Sequence, residues 1–223
     1  MKLQARFAVI VGVAALCLVG CSGTMSVAYT AQNFARFRGE TDIGKFTYEP
    51  SLPGAPSRAS TTPLPSHPTG EAPDNAPLIK PNQIQNSKMG DLYVSGKIAD
   101  LVKRATVLEL ERTGVVLSDA SPIVLSGDVM YFKADDLGSS VDWTYAVRYR
   151  ITRRSDSTVL LNKIYEADPT TTGKFGRASD YAPTVSEMIL SAYDKFIRDG
   201  DVKKLLMQKA DDPKAAKAPV PGA

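Results

Sequence analysis

The clearest pattern in the chain is an alternation that begins at Val141. Val141, Trp143, Tyr145, Val147, Tyr149 and Ile151 are apolar or aromatic, with Asp142, Thr144, Ala146, Arg148, Arg150 and Thr152 in step with them. A period of two predicts a strand with one buried and one wet face, as in an antiparallel sheet covered on one side. Ile123, Leu125, Val129 and Tyr131 alternate in the same way, with Gly127 as a gap. Residues 115–117 and 159–165 predict two more strands. Phe46 and Tyr48 alternate within residues 42–49, and Pro50 ends that run.

The period lengthens in two places. Ile98, Leu101, Val102, Ala105 and Leu108 fall on one stripe of a helix over residues 95–113, with Ser95 as its N-cap and Gly114 as its stop. The opposite face, with Lys97, Asp100, Lys103, Arg104, Glu109 and Arg112, reads as solvated. Val185, Ile189, Ala192, Tyr193 and Phe196 make a second stripe over residues 183–198, and Pro183 suits its first turn. Residues 201–209 predict a short last helix. The expected fold is α+β: an antiparallel sheet of three to four strands with two helices packed on one face, a two-layer sandwich.

Outside these elements the composition shifts. Nine of the fifteen prolines lie between Pro50 and Pro81. Residues 50–83 therefore predict an extended, disordered loop, because such a segment cannot bury enough apolar surface to offset the cost of ordering. The domain is expected over residues 84–209 together with the 42–49 strand, and residues 210–223 predict a disordered tail.

The N-terminus carries the most specific signal. Lys2 and Arg6 precede an apolar run over residues 7–19, which is too short to span a bilayer as a helix and fits the core of an export signal. The run ends Leu18-Val19-Gly20-Cys21, which resembles the lipobox of bacterial lipoproteins. In that family the cysteine receives a diacylglyceryl group and becomes the first residue. Cys21 is the expected lipidation site, residues 1–20 the signal, and residues 21–41 a tether carrying Phe34, Arg36, Phe37 and Arg38. Removal of residues 1–20 takes Cys17, Lys2 and Arg6, leaving one cysteine and 25 basic against 24 acidic side chains, a net charge of +1. Ser22 follows the cysteine, and the lack of Asp there favours the outer membrane by resemblance to the enterobacterial sorting rule.

Charge and chemistry then narrow the function. A near-neutral chain lacks the clustered basic face that nucleic acid requires. Cysteine chemistry is closed to a mature chain whose one cysteine is acylated. The single histidine, His67, stands in the proline-rich loop without His or Cys neighbours, so histidine-based acid–base catalysis loses its usual player. The stretch KADDLGSS holds Asp135 and Asp136, with Asp142 shortly after. It reads as a turn: an Asp bonds the backbone two residues on, and Gly138 supplies a positive φ. A partner-binding tip is the second reading of these aspartates, and a metal or catalytic site the third. Calcium-loop spacing is absent because Asp135 and Asp136 are adjacent. Arg148 and Arg150 share one strand face and, with Lys163, are candidates for an acidic partner or an anionic lipid headgroup. No metal, cofactor or catalytic residue is expected.

The lipobox, the FTYEP strand, the proline-rich gap and the block LSGDVMYFKADDLGSSVDWTYAVRYRI together resemble the YajG-like group of proteobacterial lipoproteins. The resemblance covers residues 44–49 and 92–206; the proline insert is longer than in that group. It implies a periplasm-facing outer-membrane lipoprotein with no established enzymatic activity. The expectation is a lipid-anchored accessory subunit of an envelope assembly, with the membrane and an envelope protein as partners. The alternative is an auxiliary lipoprotein that handles lipid or lipopolysaccharide for an envelope transport system.

Overall fold

The computed structural model describes residues 23–33, 36, 38–49, 79–86, 91–174 and 176–207. Cys21, His67, Phe34, Phe37, most of the proline-rich segment and the tail lie outside the described residues.

Two long strands make the spine. β6 (Ile123–Asp136) and β7 (Ser140–Arg153) form one antiparallel hairpin, paired from Ile123↔Arg153 to Asp136↔Val141. Each is longer than its other neighbours, so the outer edges are filled by shorter strands end to end. Along β6 lie β2 (Gly39–Tyr48) and, nearer the hairpin tip, β3 (Gln83–Asn86). Along β7 lie β8 (Val159–Glu166) and β9 (Thr170–Gly173). β5 (Val115–Leu117) extends the sheet beyond β2; β4 (Leu92–Val94) and then β1 (Gly23–Met25) extend it beyond β3.

This sheet of nine strands corrects the expected antiparallel sheet of three to four. It is mixed: β2 runs parallel to both β5 and β6, β3 parallel to β6, and β1 parallel to β4. The extra strands are two to four residues of ladder each, too short to show a period. The parallel pairing of β2 depends on where a distant segment returns, which no local pattern encodes.

The expected tether is also revised where it is described. Gly23–Met25 is a strand, Met25 is fully buried, and Val27 is nearly so. The N–H of Ser95 donates to the Met25 carbonyl at 2.7 Å. That bond explains why Ser95 does not cap the helix. Its backbone continues the β1–β4 ladder, and α1 (Ile98–Thr113) begins after Lys97 with no side-chain cap. At its other end Gly114, at φ 92°, stops α1 as expected, its N–H returning to the Glu111 carbonyl at 3.1 Å.

α1 and α2 (Ala182–Arg198) cover one face of the sheet, with α3 (Gly200–Met207) following. The covered face is the one that the alternation picks out, and every apolar odd position from Val141 to Ile151 is buried. Tyr149 lies at the centre. Its ring stands 4.3 Å from that of Phe196 on α2, and its hydroxyl meets Thr106 Oγ1 of α1 at 2.9 Å. Trp143 packs against Tyr181 at 5.3 Å and donates from Nε1 to Thr172 Oγ1 at 2.9 Å. Buried side chains of this size contribute about 1.5–3 kcal/mol each.

Two local departures have clear causes. The β6–β7 register slips between Val129 and Tyr131, a bulge that adds one residue. Tyr131 therefore leaves the inner face and Phe132 takes the inward place, fully buried. Gly127, the gap in the β6 alternation, lies opposite Phe46 of β2; a Cβ there would meet the Phe46 ring at 2.5 Å. The glycine is the socket for that ring.

Glu109, expected on the solvated face of α1, is fully buried. Its carboxylate accepts from the Tyr29 hydroxyl at 2.7 Å and from the backbone N–H groups of Gln32 and Asn33, both at 2.9 Å. Asn33 in turn donates from Nδ2 to Asp194 of α2 at 3.0 Å. Residues 27–33 thus form a strap bound to both helices.

Candidate functional site

The geometry of the aspartates decides between a turn and a reactive site. Asp136 Oδ1 accepts from the Gly138 N–H at 2.7 Å, and Gly138 has φ 97°. The Asp–Gly turn is as expected from the sequence. The other oxygen of Asp136 accepts from Lys174 Nζ at 2.7 Å. Asp135 and Asp142 face each other in register on the opposite side of the hairpin, and Asp142 accepts from Thr171 Oγ1 at 2.6 Å. Like charges directly opposite are unfavourable, so the pair costs stability. The three carboxylates do not converge: Asp136 turns to the covered side and the other two to the open side. Among the described residues no group of three or more His, Cys, Asp or Glu is placed to hold a metal ion.

The three candidate cations divide between the two faces. Arg148 and Arg150 project from the open face of β7. Arg150 pairs with Asp128 of β6 at 3.2 Å, and Asp128 also accepts from Thr47 Oγ1 at 2.7 Å. Arg148 makes no ion pair among the described residues. Lys163, in contrast, stands opposite Tyr149 and so belongs to the helix-covered side. Its ammonium donates to Asp201 at 2.8 Å and Asp199 at 3.0 Å, and these bonds raise its pKa. Tyr165 adds a bond to Asp199 at 2.9 Å. Lys163 therefore ties β8 to the α2–α3 junction, and the expected three-cation contact is corrected to two arginines. Ile164 and Val159, both about half exposed, lie beside them on the open face.

One surface cleft of about 590 Å³ lies on the helix side, lined by Asn33, Asp168, Thr170, Ser191, Asp194 and Lys195 among others. Lys195 donates to Asp168 at 2.7 Å, the Ser191 hydroxyl donates to the second Asp168 oxygen at 3.2 Å, and both bonds lower the Asp168 pKa, the lysine's more. Each cation near the rim has its carboxylate, since Arg198 pairs with Asp194 at 2.8 Å. The lining is internally matched: the Ser191 hydroxyl is held by Asp168, a carboxylate that Lys195 already neutralises. Sequence reasoning missed Glu109 and this cleft. A clue to the first was available: Glu109 sits four residues beyond Ala105 and eleven beyond Ile98, within reach of the buried stripe.

No family model matches the chain, and no curated protein matches it. Solved structures do. The chain is similar to protein XCC0632 of Xanthomonas campestris, from the family DUF330, with a TM-score of 0.52 at 12% identity over 82% of this chain and 96% of that one. A Caulobacter crescentus protein described as a candidate lipoprotein gives a TM-score of 0.38 at 13% identity, over 50% of this chain and 85% of that one. The likeness to the Xanthomonas protein is one of fold, and it spans nearly its whole length. Among the described residues no helix is long and apolar enough to cross a membrane.

Proposed function

We propose that the chain is an envelope lipoprotein, held at the periplasmic face of the outer membrane by acyl chains on Cys21. Its folded domain serves an envelope assembly as a non-enzymatic accessory subunit. One observation carries this reading: a sequence with the pattern of an export signal and lipobox ends at Cys21, and the strand β1 starts two residues later, at Gly23. The anchor is joined almost directly to a sheet strand, so the lipid holds the domain and not merely a tail. Several acyl chains on one cysteine anchor stably, where a single chain would be marginal. Kinship with the YajG-like lipoproteins is the finer form of the same proposal.

The docking face is the open side of the sheet. There Arg148 and Arg150 stand among half-exposed aliphatic side chains, suited to a protein partner with an acidic rim. The alternative of lipid or lipopolysaccharide handling loses the third cation it relied on, because Lys163 is held on the far side by two aspartates.

In-cell crosslinking of the tagged full chain, with mass spectrometry of the captured proteins and lipids, tests the reading. A reproducible envelope protein that disappears in the Arg148→Glu, Arg150→Glu double variant is the expected result. Abundant phospholipid or lipopolysaccharide without a protein would replace the adaptor by the lipid-handling alternative.

A further inference from the structure

If Cys21 is the anchor, its place relative to the sheet limits how the domain meets the bilayer. Gly23 pairs with Leu92, Leu92 with Ile84, and the next residue, Gln85, with Lys133. Gly23 therefore stands level with Phe132 of β6. β1 runs away from the β6–β7 tip. Only Ser22 separates Cys21 from Gly23, and two residue steps reach at most about 7 Å. Leu137 lies five residues past Phe132, about 17 Å along the strand direction. With the strands upright on the bilayer, the tip overhangs the anchor by at least about 10 Å, and β1 lies three strand spacings, about 14 Å, to the side of β6. A headgroup layer is itself only about 5–8 Å deep.

The tip has the chemistry for that position. Leu137 is 60% exposed at the crest, the largest exposed fraction but one among the large hydrophobic side chains described. Gly138 and Ser139 beside it are exposed and uncharged. The one acid of the turn, Asp136, is neutralised by Lys174, and its side chain is only 8% exposed. Asp135 and Asp142 sit further down the hairpin on the open face. The hairpin is also rigid, since both strands are paired with each other up to Asp136↔Val141 and β9 braces β7 at Ser140↔Gly173.

We propose that the tip of the β6–β7 hairpin, with Leu137 at its crest, enters the lipid headgroup layer beside the Cys21 anchor. It is a second point of membrane contact that fixes the orientation of the domain. The proposal rests on the anchoring proposed above. It explains why an apolar crest stands on a turn whose own acid, Asp136, is paired with Lys174, and it directs the open face with Arg148 and Arg150 sideways along the membrane, toward a neighbouring protein.

The test uses the full lipidated chain in vesicles of phosphatidylethanolamine and phosphatidylglycerol. With Cys21 acylated, Leu137→Cys introduces the only free thiol, which takes an environment-sensitive fluorophore. Val159→Cys, at the end of the sheet away from the tip, is the control. The expected result is blue-shifted emission at 137, quenched by nitroxide-labelled lipid, with neither effect at 159. If the chain floats with the vesicles but 137 stays as wet as 159, the tip contact is overturned and the anchor stands. If the full chain fails to float, the anchor is overturned and the tip contact falls with it.

Discussion

Glu109→Ala is expected to destabilise the fold by about 3–4 kcal/mol, near the upper end for a single replacement. The carboxylate is buried on α1 and serves three donors: the Tyr29 hydroxyl and two backbone N–H groups of the strap. Removing it leaves the backbone donors of Gln32 and Asn33 without an acceptor, and an unsatisfied buried donor costs about 1–3 kcal/mol. Glu109→Gln should fall between the two. Tyr29 and Gln32 both bond Oε1, which an amide oxygen replaces, whereas Asn33 bonds Oε2, where an amide NH₂ would oppose its N–H. Urea unfolding followed by circular dichroism gives the ranking, with Glu111→Ala on the exposed side of the same helix as control. Equal losses for Glu109→Ala and Glu111→Ala would remove the strap from the account.

Alkali is expected to unfold the protein sharply, about one to three pH units above 10. Tyr48, Tyr145, Tyr149 and Tyr193 are buried, and burial is the chief cause that raises each phenol pKa. Below about pH 10 both states keep the phenol protons and stability is complete. Above it the unfolded chain releases protons that the folded chain retains, so stability falls as pH rises. Each tyrosine contributes up to about 1.4 kcal/mol per pH unit, and four together about 5. Against a typical total of about 5–15 kcal/mol, one to three units suffice. Tyrosinate absorbance should rise in one step with the loss of circular dichroism. The Tyr145 hydroxyl has no hydrogen-bond partner among the described residues, so Tyr145→Phe should move the step to higher pH. Gradual tyrosinate formation in a chain that stays folded would contradict this.

The parts of the fold that were legible in the sequence are those with an internal period. The β7 alternation names its buried face correctly from Val141 to Ile151, and the α2 stripe names Val185, Ile189, Ala192, Tyr193 and Phe196, all buried. The Asp–Gly turn was legible because its chemistry is local. What escaped is non-local. The Met130 bulge shifts the inward place from Tyr131 to Phe132. The β1 and β3 strands are too short for a pattern. Glu109 looks like any helix surface acid until the strap returns to it from residues 29–33. The candidate contacts divide in the same way. Arg148 and Arg150 share a face because they are two apart on one strand. Lys163 could be assigned to a face only through the β7–β8 register, which sets it opposite Tyr149.

The proposed function turns on Cys21, two residues before β1. Mass spectrometry of the N-terminal peptide, from the membrane fraction of cells expressing the full chain, tests it most directly. The account predicts a chain that begins at Cys21 with a diacylglyceryl thioether, and a Cys21→Ala variant that leaves the membrane fraction. A chain that retains residues 1–20, or a Cys21 with a free thiol and unchanged location in the alanine variant, would contradict it.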